Sequence, residues 1–167
     1  SLSEADGNAY LCCAMPPLFA MPEKLILTLS EQTGNEALIS QWKWSPSLFR
    51  KTIKKQHLTL VLLDPECALL TPDVLHPSVG ELYPDDYFSY TKEQYLSHIE
   101  FLKQIESKYE NLKIHFVSEL ADNTLLYVKD DTGVVMTKAN APKTAFVIND
   151  RNMIGAFLDY MEKRVLT

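Results

Sequence analysis

Leu58-Thr59-Leu60-Val61-Leu62-Leu63 is apolar at every position but one, and Asp64-Pro65 follows at once. A strand with one wet face alternates apolar and polar residues, whereas a continuous run of this length is the pattern of a strand covered on both faces. Such a strand belongs at the centre of a sheet with a layer of structure on each side. The run is far shorter than the roughly 20 residues that span a bilayer. The longer apolar stretch from Tyr10 to Met21 is broken by Pro16-Pro17. The expectation is therefore a layered α/β fold without membrane contact.

The rest of the chain supplies the layers. Ser1 to Asn8 is small, polar and acidic, and reads as a linker stub or frayed end, leaving 9–167 as a single α/β domain. Tyr10–Ala14 and Leu25–Leu29 read as short strands separated by Met15-Pro16-Pro17. Ser45-Pro46 predicts a helix start, with the helix running to about Lys55. Residues 64–86, with Pro72, Pro77, Gly80 and Pro84, form an irregular stretch long enough to suggest a lid or contact surface. Thr91-Lys92-Glu93-Gln94 is a capping box, and Tyr95, Ile99, Leu102, Ile105 and Tyr109 recur along one helical face.

Leu112–Val117 then predicts a strand, and Leu125–Val128 a hairpin with Val134–Met136 across Asp130-Asp131-Thr132-Gly133, whose glycine is expected at positive φ. Thr144–Ile148 is a last strand. Asn149-Asp150 caps a final helix with a stripe of Met153, Ile154, Phe157, Leu158, Met161 and Val165. The predicted order is β-β-α-β-α-β-β-β-β-α, a mixed sheet flanked by helices.

The formal charge of −6 over 167 residues works against direct nucleic-acid binding, which draws on lysine and arginine to neutralise phosphates. Three cysteines, Cys12, Cys13 and Cys67, form neither a disulfide framework nor a zinc spacing, so a reducing cytoplasm and no metal or other cofactor are expected. A chain opening on Ser1 rather than Met reads as a fragment with a partner domain upstream.

Within residues 90–164, the stretches Tyr95-Leu96-Ser97-His98-Ile99-Glu100, Tyr109-Glu110-Asn111-Leu112, Gly133-Val134-Val135, Pro142 to Met153 and Ala156-Phe157-Leu158-Asp159-Tyr160 carry a likeness. This part of the chain resembles the C-terminal domain of bacterial helix-turn-helix transcription regulators. The element order is similar to one half of a phospholipase-D-like fold. The resemblance implies a domain that senses a small-molecule effector, forms a homodimer, or does both, while a separate helix-turn-helix segment contacts DNA. Enzymes of that fold carry a histidine two residues before a lysine. Here the four histidines are followed at that position by Thr59, Ser78, Glu100 and Val117, so the resemblance implies a scaffold without the hydrolytic chemistry.

Individual residues offer further readings. Cys12-Cys13 suggests a redox switch, although strand alternation would send the thiols to opposite faces. His98 and His115 lack a second ligand at metal spacing and read as packed or surface histidines. Tyr83 and Tyr87 beside Asp85-Asp86 could meet a cationic ligand, or simply form a solvated loop. Trp42 and Trp44 flank Lys43 just before the predicted helix, and present either an aromatic surface or one core-facing residue. Met153, Phe157, Tyr160 and Met161 could be a dimer contact or a core stripe, and Lys51, Lys54 and Lys55 a small basic face.

The ligand-pocket residues proposed are thus Trp42, Trp44, Asp64, Tyr83 and Tyr87, around strand ends and the 64–86 segment. No catalytic residue is assigned. A rival reading is a hydrolase built on His57, Asp64, Glu66 and His76, and a third is a stand-alone interaction module.

Overall fold

The computed structural model describes residues 7–13, 16–68, 74–75, 90–120, 124–130, 132–138 and 144–166. In chain order these form β1 (Asn8–Cys13), α1 (Glu23–Thr33), α2 (Glu36–Lys55), β2 (His57–Leu63), a single turn α3 (Pro65–Ala68), β3 (Val74–Leu75), β4 (Tyr90–Thr91) and α4 (Lys92–Lys108). Then come β5 (Leu112–Val117), β6 (Thr124–Lys129), β7 (Gly133–Lys138), β8 (Thr144–Ile148) and α5 (Arg151–Tyr160), which runs into a π-helical turn at Met161–Val165. Among the described residues, no helix is long and apolar enough to cross a membrane.

The main sheet has the order β5-β2-β1-β6-β7-β8, while β3 and β4 pair separately. Strands β1, β2 and β5 run parallel, from Asn8 opposite His57 and from Leu58 opposite Leu112. The other three alternate in direction, starting with Leu11 opposite Tyr127. The fold is α/β with a mixed sheet flanked by helices, as expected.

Strand alternation divides the interior into two cores. On one face Ala9, Leu11, Cys13, Leu58, Leu60 and Leu62 meet Leu29 of α1, Leu38, Trp42 and Ile53 of α2, and Tyr95 and Leu102 of α4. On the other face Cys12, Val61, Val128 and Val134 meet Ile154 of α5 and Met161 of the π turn. Strand β2 contributes to both, and Leu60, Val61 and Leu62 have no exposed surface. The doubly covered strand read from the sequence is present, but it lies second from the β5 edge rather than at the centre of the sheet, where β1 and β6 stand.

Several local expectations are corrected. Leu25–Leu29 is not a strand but part of α1, bounded by Pro22 and by Gly34 at φ 65°. Leu25, Ile26 and Leu29 are buried while Leu27 between them is 56% exposed, a helical spacing that five residues are too few to reveal. The helix expected from Ser45-Pro46 begins ten residues earlier, where the Asn35 side chain accepts from the Leu38 amide at 3.1 Å. Pro46 lies inside α2, and Ser45 donates its hydroxyl to the Gln41 carbonyl instead of capping. Trp42 and Trp44 therefore sit within this helix rather than before it.

The observed order thus opens β-α-α-β. Asn8, placed by sequence in the terminal stub, is the first residue of β1, and its amide donates to Asp130 Oδ1 at 2.9 Å. Gly133 does not adopt positive φ. It is an ordinary strand residue, where an added Cβ would lie 3.0 Å from the Ile148 carbonyl oxygen, so the small side chain serves the close approach of β8.

Two caps match the sequence directly. Thr91 and Gln94 exchange both bonds of the capping box, at 3.1 and 2.8 Å. Asp150 accepts from the Met153 amide at 3.0 Å to open α5. The stripe behind that cap divides: Ile154 and Met161 are buried, whereas Met153 and Tyr160 are about half exposed.

Candidate functional site

Because β1, β2 and β5 are parallel, their C-terminal ends and the residues that follow open on one edge of the sheet. The Asp64 amide donates to the Val117 carbonyl at 2.8 Å and joins the ends of β2 and β5. Asp64 Oδ1 then accepts from the Glu66 amide at 2.9 Å, which starts α3 with Pro65 in the first turn, where its missing N–H costs nothing. From below, the Tyr95 hydroxyl donates to the Leu63 carbonyl at 3.1 Å. Burial first, then the neighbouring Asp64 carboxylate and Cys13, push the Tyr95 phenol above its ordinary range, so it remains a donor.

On this platform lies an open cleft of about 940 Å³. Its sheet side is formed by Leu63, His115 and Val117, with Ser118, Glu119 and Leu120 continuing beyond β5. Cys67 enters from α3, and Tyr160, Arg164 and Val165 from the C-terminal helix and its π turn. A second cavity of about 510 Å³ lies toward the opposite ends of the strands, beside Tyr10, His57, Thr59 and Lys113. His115 borders both. Burial, together with Glu162 and Asp130, raises the Tyr10 phenol, whose hydroxyl is hydrogen-bonded to Glu162.

The cleft presents a guanidinium, an imidazole, a carboxylate and hydroxyls beside the apolar side chains of Leu63, Val117 and Val165. Among the described residues, no hydrogen bond links His115, Ser118, Glu119, Tyr160 and Arg164 to one another, and no group of three histidine, cysteine or carboxylate side chains could hold a metal ion. This arrangement suits recognition of a small amphipathic molecule.

The residues proposed from sequence are mostly elsewhere. Trp42 is packed in the helical core, with 2% of its surface exposed, and does not line the cleft. Its indole was needed for packing against β1 and β2. Trp44 points outward from α2 at 52% exposure. Asp64 supports the cleft through its two backbone-directed contacts, while Tyr83 and Tyr87 lie outside the described residues, as do Asp85, Asp86 and His76.

Of the rival hydrolase set, His57 and Asp64 stand apart: His57 begins β2 and Asp64 follows its last residue, so seven residue steps along the strand separate them by roughly 23 Å. Glu66 belongs to the same far end as Asp64.

His98 is fully buried, with Nε2 2.6 Å from the Ala20 carbonyl oxygen. A carbonyl only accepts, so Nε2 carries the proton and donates. Burial lowers the His98 pKa to about 4, outweighing the raising effect of that bond. Cys12 and Cys13 point into different cores, as alternation requires. Burial pushes the Cys12 thiol up to about 12, and raises Cys13 further with the help of its neighbour's charge, which removes the thiolate a redox switch would use.

The sequence reading missed His115, Glu119, Tyr160 and Arg164 as cleft residues. A signal existed for Glu119, since residues beyond the carboxyl ends of parallel strands are where α/β sheets bind ligands. Comparison with known proteins finds no matching family, no matching curated protein and no matching solved structure.

Proposed function

We propose that the chain is the effector-binding and dimerising domain of a cytoplasmic bacterial transcription regulator, on a scaffold like half of a phospholipase-D-like fold that is used for recognition. DNA is then contacted by a helix-turn-helix segment outside this sequence. The observation that carries the reading is the 940 Å³ cleft, in which the sheet ends supply one wall and the C-terminal π turn supplies another. A ligand bridging Val117 on the sheet and Arg164 on the turn binds best when the two are held in one arrangement. It thereby shifts the population of that arrangement by its difference in affinity. Arg164 gives the site a preference for a molecule with an anionic group, and Leu63, Val117 and Val165 a preference for one with an apolar body.

The test is a thermal-shift and calorimetric screen of the chain against small carboxylates and phosphorylated metabolites. Saturable binding that is lost in Arg164→Gln and Val117→Trp, with the fold retained, supports the reading. Binding unchanged by both substitutions overturns the site. Turnover of an ester or phosphoester that disappears in His115→Ala overturns the function.

A further inference from the structure

The two edges of the sheet are treated differently by this chain. On β5, the Ile114 amide is occupied by Glu106 Oε2 of α4 at 2.5 Å, and Lys113 and His115 place ionisable groups along the strand. A side-chain carboxylate on an edge amide, with charges nearby, is how sheets prevent a further strand from adding. Among the described residues, the opposite edge carries no such device. Strand β8 is Thr-Ala-Phe-Val-Ile, without charge or proline, and among the described residues no strand lies beyond it. Phe146 is 56% and Val147 74% exposed. Being adjacent in a strand, these two point to opposite faces of the sheet. A helix or loop laid on one face could cover only one of them. A strand added to the edge, carrying its own side chains on both faces, covers both.

We infer that β8 is a self-pairing edge, and that two copies of this chain join their sheets there in antiparallel register about a two-fold axis at Phe146. The inference rests on the dimeric reading above and supplies its interface. Three features select a second copy. The strand is its own complement about Phe146, because a two-fold there sets Phe146 against its counterpart and Ala145 against Val147, the smaller residue facing the larger. The pairing places no charged residue opposite a like one, although each copy carries a net charge of −6. It also continues the alternation of β6, β7 and β8, giving one sheet running through both copies. A closed two-fold contact of this kind uses the same patch on both partners and leaves no edge open for further growth.

The experiment uses the full chain. Sedimentation equilibrium is run on the native protein, on Phe146→Lys, and on Leu27→Lys as a control at an equally exposed apolar position of α1. Separately, Phe146→Cys and Leu27→Cys are made in a Cys67→Ser background and oxidised with copper phenanthroline. The expected result is a native dimer whose dissociation constant rises roughly tenfold or more in Phe146→Lys. It is unchanged in Leu27→Lys, with circular dichroism the same for all three. A covalent dimer should form through position 146 and not through position 27. A native dimer that ignores Phe146→Lys and cross-links no better at 146 than at 27 overturns this edge while leaving dimerisation standing. A native monomer overturns both.

Discussion

Cys12 Sγ lies 3.6 Å from Met161 Sδ, a buried contact between residues 149 positions apart. It joins β1, one of the two middle strands of the sheet, to the π turn that forms one wall of the cleft. Met161 is fully buried, although its neighbours Tyr160 and Glu162 are exposed. Met161 is the one fully buried side chain of the turn, and Val165 and Leu166 pack beside it against the same core.

Met161→Ala should reduce unfolding free energy by roughly 2–5 kcal/mol, the usual range for removing a buried methionine side chain. Met161→Leu, which keeps the volume, should cost less than about 1.5 kcal/mol. Urea denaturation measures both. An equally small loss in the two variants would mean that the turn is not anchored there.

His98 makes stability depend on pH in a definite direction. The unfolded chain protonates this imidazole near the ordinary histidine value of 6.5, while the folded chain does not until about 4. The unfolded state thus binds more protons across that window, and stability falls as pH is lowered from about 6.5 toward 4. In His98→Asn the slope of unfolding free energy against pH should be shallower in the same window. A slope identical to the native protein's would assign the acid sensitivity to carboxylates alone.

Gly133 and Gly155 should respond oppositely to alanine. At Gly133 the new methyl would press on the Ile148 carbonyl at 3.0 Å, so Gly133→Ala is expected to cost about 1–3 kcal/mol and to speed amide exchange in β8. Gly155 is inside α5 with nothing within 4 Å of an added Cβ, and Gly155→Ala should stabilise by roughly 0.5–1 kcal/mol. Denaturation midpoints and exchange rates report both.

The cysteines should separate by access. Cys67, partly exposed beside the cleft, should be labelled by a thiol-disulfide reagent in the native protein, whereas Cys12 and Cys13 should react only on unfolding. Fast native labelling of either buried thiol would reopen the redox reading. A mass spectrum of the labelled peptides distinguishes them.

Much of the framework could be read from local pattern. Leu58–Leu63 indicated its own double burial, though not its place next to the edge strand, because burial on two faces leaves a compositional trace, and Thr91 and Asp150 marked helix starts because the capping chemistry is local. Where reading failed, the local signal was too short, lay further upstream, or came from a tertiary contact. Leu25–Leu29 was too short to show its period, and Pro46 was accommodated within α2 while Asn35 capped it from further upstream. Gly133 was required by the backbone of β8, which no turn motif announces. For the site, Asp64 at a strand end was legible, but Tyr160 and Arg164 reach the cleft only through the way the last helix lies on the sheet.

The π turn has a geometric consequence for Arg164. Its hydrogen bond, from the Leu166 amide to the Met161 carbonyl at 2.9 Å, spans five residues rather than four. Each residue of an ordinary helix advances about 100° around the axis and 1.5 Å along it. Tightening that one loop to α geometry would swing Arg164 and Val165 by about a quarter-revolution and re-aim whatever chain emerges after them. The place of that one five-residue bond thus sets where the Arg164 guanidinium stands over the cleft.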